Sequence, residues 1–186
     1  MLTSEPQWVA VYTSPRAEKQ VEHNMRESGF EVYLPLRKEL HKWSDRKKWV
    51  EVPLIKSYIF VKITKVDEDR MRKVKGVSYV VKFENEVATI PESEIQLMKD
   101  FLAAETDVQV RNISQLRRGT WVRVQSGYLE GRIGMLVSDC EEGNFAVEIT
   151  GISMAMVIHV EKDMLVPISD DEIPVNVKKS KQYNIR

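Results

Sequence analysis

The sequence predicts an α+β domain, an antiparallel sheet with flanking helices, followed by a small all-β SH3-like barrel. Three observations lead there. Through the first hundred residues, runs with strand periodicity alternate with runs of helical periodicity in the order strand, helix, strands, helix, strand, helix, the pattern of a sheet that carries helices. From Arg117 onward the helical runs stop, and short strands punctuated by glycine take over. Between the two lies a polar, weakly patterned stretch. The expected boundaries are 5–104 for the first domain, 105–116 for a linker, 117–168 for the barrel and 169–186 for a disordered, charged tail.

Trp8 to Tyr12 is a first strand. It stops at Ser14-Pro15, where serine suits an N-cap and proline the first helical turn. Ala17, Val21, Met25 and Ser28 then recur at three or four residues and form the inward stripe of a helix, while Glu18, Lys19, Glu22 and Arg26 face water. Gly29 stands where a left-handed C-cap is needed. Phe30 to Leu36 is extended, and Trp49 to Pro53 returns as a strand, so the segment between them is a long exposed hairpin or loop. Ser57 to Ile63 is apolar on both faces and needs cover on both. Asp67 to Val74 predicts a short helix ended by Gly76. Val77 to Phe83 is a strand, Glu84-Asn85 a turn and Val87 to Ile90 a short extended piece, and Pro91 opens a helix with Ile95, Met98 and Phe101 or Leu102 on one face. In the second half, five strands are expected, at Trp121–Val124, Arg132–Val137, Phe145–Ile149, Met156–Val160 and Met164–Val166. Five short strands in about fifty residues are too few for a large sandwich.

Composition narrows the function. With 42% hydrophobic and 30% charged residues the chain is globular, and no apolar run reaches the roughly 18 residues of a membrane-spanning helix. Met1 to Gln7 lacks the pattern of a secretory signal, so a cytoplasmic location and no membrane partner are expected. Cys140, the single cysteine, sits between Asp139 and Glu141, which disfavour a thiolate. His23, His41 and His159 lack metal-ligand spacing, and no phosphate loop or nucleophile elbow is present. The expectation is no enzyme, no cofactor and no metal. Lysine and arginine balance aspartate and glutamate at 28 each, which argues against a general nucleic-acid coat. The charge is unevenly spread, however. Between Arg37 and Lys48 lie Arg37, Lys38, Lys42, Arg46, Lys47 and Lys48 against Glu39 and Asp45 alone, a local positive field on a neutral chain.

Three blocks resemble the NusG family of transcription elongation and antitermination factors, whose members join an N-terminal domain to a KOW barrel. Trp8-Val-Ala-Val-Tyr12 with Pro15-Arg16-Ala-Glu-Lys19 resembles the opening strand and helix of that N-terminal domain. Pro53-Leu-Ile-Lys-Ser-Tyr58-Ile-Phe60-Val61, Gly76-Val-Ser-Tyr79-Val-Val81 and Ile90-Pro91 resemble its central strand and the segments C-terminal to that strand. Gly119-Thr-Trp-Val122-Arg-Val124 through Gly127 and Gly131 to Gly134 is similar to a KOW motif. The Gly76-Val-Ser block is closer to the specialised antiterminators, such as RfaH and the UpxY-like factors, than to the general factor.

The resemblance implies a non-catalytic monomer that grips the clamp helices of the largest RNA polymerase subunit through an apolar surface, here Tyr12, Tyr58 and Phe60 with Val80 and Phe83 nearby. Aromatic side chains suit that task because they desolvate much area at little entropic cost, although core burial is the competing reading for each. The segment Asp67 to Arg72 falls where the family meets the opposite jaw of the polymerase. Arg16, Lys19, Gln20 and His23 on the first helix, and Lys42, Trp43, Arg46, Lys47 and Lys48 in the basic segment, are candidates to meet the non-template DNA strand. Cations there hold phosphates, and an interleaved aromatic stacks on an unpaired base. The KOW barrel implies recruitment of a ribosomal protein or the termination factor Rho. Tyr128 stands where a proline is common, and Gly151-Ile152-Ser153-Met154 departs from the family's glycine-arginine loop. The alternative is an RNA-binding or ribosome-associated KOW protein. Ten basic against eleven acidic residues from Asp107 onward speak against it.

Overall fold

A computed structural model describes residues 2–42, 46–83, 85–103, 108–112, 118–127, 129–137, 144–149, 152 and 154–173. The chain divides into two compact units, Met1–Leu102 and Ala103–Arg186.

The first unit is built on a five-stranded antiparallel sheet. Strands β1 (Gln7–Thr13), β2 (Glu31–Tyr33), β5 (Tyr58–Ile63) and β6 (Val77–Val80) run in the order β2-β5-β1-β6, and β9 (Thr89–Ile90) pairs with the other end of β1. Strands β3 (Leu36–Lys42) and β4 (Lys47–Pro53) form a separate two-stranded ribbon. A second small hairpin, β7 (Lys82–Phe83) with β8 (Glu86–Val87), is an excursion between the two segments that share an edge of β1. At the turn expected at Glu84-Asn85, Asn85 takes the left-handed region, which asparagine tolerates, and Glu84 lies outside the described residues.

The double-sided apolar pattern of the central strands has its cover. On one face Val9, Val11, Ile59, Val61 and Ile63 pack with Val21 and Met25 of helix α1 (Glu18–Glu27) and Met71 of helix α2 (Glu68–Arg72). On the other face helix α3 (Glu92–Ala103) buries Ile95, Met98 and Phe101. It is tied down where the Trp8 indole Nε1–H donates to Glu92 at 2.7 Å and where the Lys99 ammonium lies 5.4 Å from the centre of the Tyr33 ring. Helix α1 ends at Gly29 as expected. Its N–H donates to the Arg26 carbonyl, that of Phe30 reaches back to Met25, and Gly29 takes φ = 80°.

The start of α1 differs from expectation. The Ser14 N–H pairs with the Gly76 carbonyl, and the helix opens at Ala17 with no side-chain cap. Arg16 therefore lies in the preceding turn at φ = 64°, not on the helix. Glu18, expected in water, is buried.

The second unit is all-β. Strands β10 (Gln109–Asn112), β11 (Arg118–Val124), β12 (Ile133–Val137), β13 (Asn144–Ile149), β14 (Met154–His159) and β15 (Leu165–Pro167) form one antiparallel sheet in the order β10-β14-β13-β12-β11-β15. The motif glycine at 134 is explained by close approach, since a Cβ there would meet the Phe145 ring at 2.5 Å. Strand β10 lies within the stretch expected as linker. Buried Val108 anchors it beside β14, a local fit that a polar sequence conceals. The expected tail begins with an ordered turn as well. Glu172 accepts from the Ser169 N–H and Oγ–H and pairs with Arg123 at 3.0 Å, and Ile173 is buried. Cys140 and Tyr128 lie outside the described residues.

Candidate functional site

Two features of the first unit carry the candidate residues. The first is an aromatic array on the α3 side of the sheet, beyond the part that α3 covers. Directly opposed residues of antiparallel strands share a face, and the registers Tyr12↔Tyr58 and Tyr12↔Tyr79 put three tyrosines side by side across β5, β1 and β6. The Tyr12 and Tyr58 rings meet edge to face with centroids 5.1 Å apart, and Tyr12 and Tyr79 stack at 4.9 Å and 9°. Tyr12 and Tyr58 are half-buried and Tyr79 is 50% exposed. Burial, together with the neighbouring phenols of Tyr79 and Tyr12, raises the Tyr58 pKa above that of a free tyrosine. Tyr58 therefore keeps its phenol proton at neutral pH.

The turn before β5 sets the position of Tyr58. Ser57 holds a left-handed φ of 63°, a conformation that costs a non-glycine residue about 1–2 kcal/mol. Its N–H donates to the buried Glu18 carboxylate at 2.7 Å, and its carbonyl accepts from the Thr13 N–H at 2.9 Å. Helix α1 thus clasps the turn that presents Tyr58.

Phe60 and Val80 require correction. Both are buried in the sheet of the unit itself. Phe60 lies opposite Ala10 and against Tyr33, and Val80 packs with the α1-side core. The alternation along each strand decides this: Phe60 shares the Tyr58 face but falls in its centre under cover, and Val80 is one residue out of phase with Tyr79. Tyr79 escapes a reading of the sequence because its phase depends on pairing with Tyr12, which periodicity alone does not reveal. Phe83 lies on β7, and its side chain is outside the described part.

The second feature is the β3–β4 ribbon. Its register pairs Lys42 with Lys47, His41 with Lys48, Leu40 with Trp49 and Lys38 with Glu51. Lys42, Arg46, Lys47 and Lys48 are exposed at its end. Trp43 lies outside the described residues. On one face Arg37 pairs with Glu39, which also meets His41 at 3.3 Å, and the Arg37 contact above all holds the Glu39 carboxyl below its usual pKa. On α1, Lys19, Gln20 and His23 are exposed, with Gln20 donating to Asn24 at 3.0 Å.

The segment 65–72 is ordered by its own charges. Asp67 accepts from Thr64 Oγ1–H at 2.6 Å and from its N–H, contacts that lower its pKa, and it pairs with Arg70, while Glu68 pairs with Arg72. Val66 stands 87% exposed between them. Among the described residues no group of acidic, histidine or cysteine side chains could hold a metal, and no helix is long and apolar enough to cross a membrane.

The chain belongs to the NusG family: the model of that family, described as transcription termination factor nusG, matches residues 6–99, just over half of the sequence. Membership makes it a transcription elongation factor, in a family of non-catalytic proteins. Among solved structures, one of domain interaction in Thermotoga maritima NusG is similar in fold, with a TM-score of 0.52 at 18% identity over 89% of this chain and 98% of that one. Two conformations of the MjSpt4:Spt5 complex align over 87% and 88% of the chain at 15% and 17% identity and cover 98% and 97% of those chains. Their TM-scores of 0.30 and 0.32 are too low to establish a common arrangement. No curated protein sequence matches.

Proposed function

We propose that the tyrosine array formed by Tyr12, Tyr58 and Tyr79 binds the clamp helices of the largest RNA polymerase subunit, and that the factor promotes processive, termination-resistant elongation. The observation that carries this reading is the array itself, a set of clustered rings with Tyr79 half exposed, in a chain of a polymerase-binding family. Such a surface desolvates large area and offers hydroxyls at its rim. A factor that binds the closed clamp better than the open one shifts the population toward the closed state with no chemistry of its own. The exposed cations of α1 and of the ribbon face the non-template strand in this reading. The all-β unit recruits a second protein, for which a ribosomal protein and Rho are the candidates.

The test is binding of wild type, Tyr58→Ala and Tyr79→Ala to purified bacterial RNA polymerase, each with and without an assembled transcription bubble. Each substitution is expected to weaken polymerase binding at least tenfold while the fold persists. Unchanged affinity in folded variants rejects the array as the polymerase contact. A requirement for the bubble in wild type marks an operon-specific factor of the RfaH kind.

A further inference from the structure

The ribbon presents a feature that its basic character alone does not explain. Leu40 and Trp49, 42% and 63% exposed, stand directly opposite each other on one face. In the register of β3 and β4, that face carries the Lys42–Lys47 pair next toward the turn and the Lys38–Glu51 pair next toward the base. Two lysines directly opposed across a hairpin repel. A polyanion would relieve that repulsion. An exposed tryptophan costs solvation and contributes nothing to a core, and the ribbon lies outside the five-stranded sheet that supplies the core.

The geometry points to the Leu40–Trp49 face as a stacking platform for an unpaired base of a nucleic-acid strand whose phosphates are held by Lys42 and Lys47. The inference rests on the nucleic-acid reading of the ribbon and adds the ring that holds the base. Each partner contributes one part: the indole gives a flat surface that accepts any base, Leu40 broadens it across the strand pair, and the opposed lysines are the next pair on that face, two residues along each strand, where the adjoining phosphates of a stacked nucleotide run. A duplex hides its base faces and would leave the indole exposed, so the fitting partner is single-stranded.

The experiment uses the full chain with a labelled single strand of about 15 mixed-sequence nucleotides and the same sequence as duplex, read by anisotropy at several salt concentrations. Single-strand preference is expected. Trp49→Ala should raise Kd for the single strand about five- to a hundred-fold with the salt dependence unchanged, and Trp49→Phe should restore most of it. Lys42→Ala with Lys47→Ala should instead flatten the slope of log K against log salt by about 1.4. Equal binding by wild type and Trp49→Ala overturns the stacking platform and leaves the nucleic-acid reading of the ribbon intact. Absence of binding to either form overturns both. Preference for duplex overturns the platform in favour of groove binding. If Trp49→Ala weakens binding to polymerase free of nucleic acid, the face is a protein contact and the proposal is wrong.

Discussion

The tyrosine array and the basic ribbon both display aromatic rings, but they are supported in opposite ways. Tyr12 and Tyr58 stand on the central strands β1 and β5 of a sheet packed on both sides, Tyr79 stands beside them on the end strand β6, and the turn before Tyr58 is clasped to α1 through Glu18. Leu40 and Trp49 stand on two strands whose partners are only each other. The first arrangement fixes ring positions before a partner arrives and so lowers the ordering cost of binding. The second leaves its rings and charges free to adjust. A rigid protein partner suits the former, and a polyanionic strand of variable path suits the latter.

Substitutions can break this contrast, beginning with those that act on the support. Phe60→Ala removes a fully buried ring from the covered part of the sheet face that carries the array and should destabilise the first unit by about 3–5 kcal/mol in denaturant unfolding. Were its cost below about 1 kcal/mol, the array would not rest on a packed core. Glu18→Ala leaves the Ser57 N–H buried without its acceptor and should cost about 1–3 kcal/mol. Polymerase affinity should fall as well, because Tyr58 follows the released turn. Ser57→Gly is the complementary test. It removes the left-handed penalty and should stabilise the unit slightly while polymerase binding persists.

The ribbon should respond differently. Trp49→Ala is expected to change stability by no more than about 0.5 kcal/mol, as for a surface position, and to act on nucleic-acid binding alone. A large loss of stability would place the ribbon in the cooperative fold and end the contrast.

The residues that the sequence reveals and those it conceals divide along the same line. Strand and helix identity follow from periodicity and from Gly29, because these signals are local. The basic ribbon is visible because charge density needs no fold. Burial of Phe60 and Val80, and the exposure of Tyr79, depend on strand phase against a partner distant in sequence. Glu18 looks like any solvated helix residue, since its purpose lies with Ser57, 39 positions away. Trp49 reads as an ordinary strand aromatic, and only the register with Leu40 shows that neither side of that pair has a core to enter.

The smallest effect expected concerns Glu92, which links α3 to the covered part of the array's own sheet face. Its carboxylate accepts from the Trp8 indole at 2.7 Å and pairs with Lys62 at 2.9 Å, and the Lys62 contact first, then Trp8, lowers its pKa. A depressed carboxyl pKa means that the contribution to stability is complete above the unfolded value, near 4.3, and is lost as pH falls through the lower folded value. The Trp8 indole N–H resonance should therefore titrate with a midpoint below the ordinary glutamate range. Glu92→Gln, which keeps an acceptor oxygen without the charge, should abolish the shift and leave neutral-pH stability nearly unchanged, because Glu92 is largely exposed and solvent screens the pair. A Trp8 resonance that titrates at or above the ordinary glutamate range would mean that the carboxylate gains nothing from Lys62 and Trp8, and that α3 is held over the sheet by its apolar face and the Lys99–Tyr33 contact without Glu92.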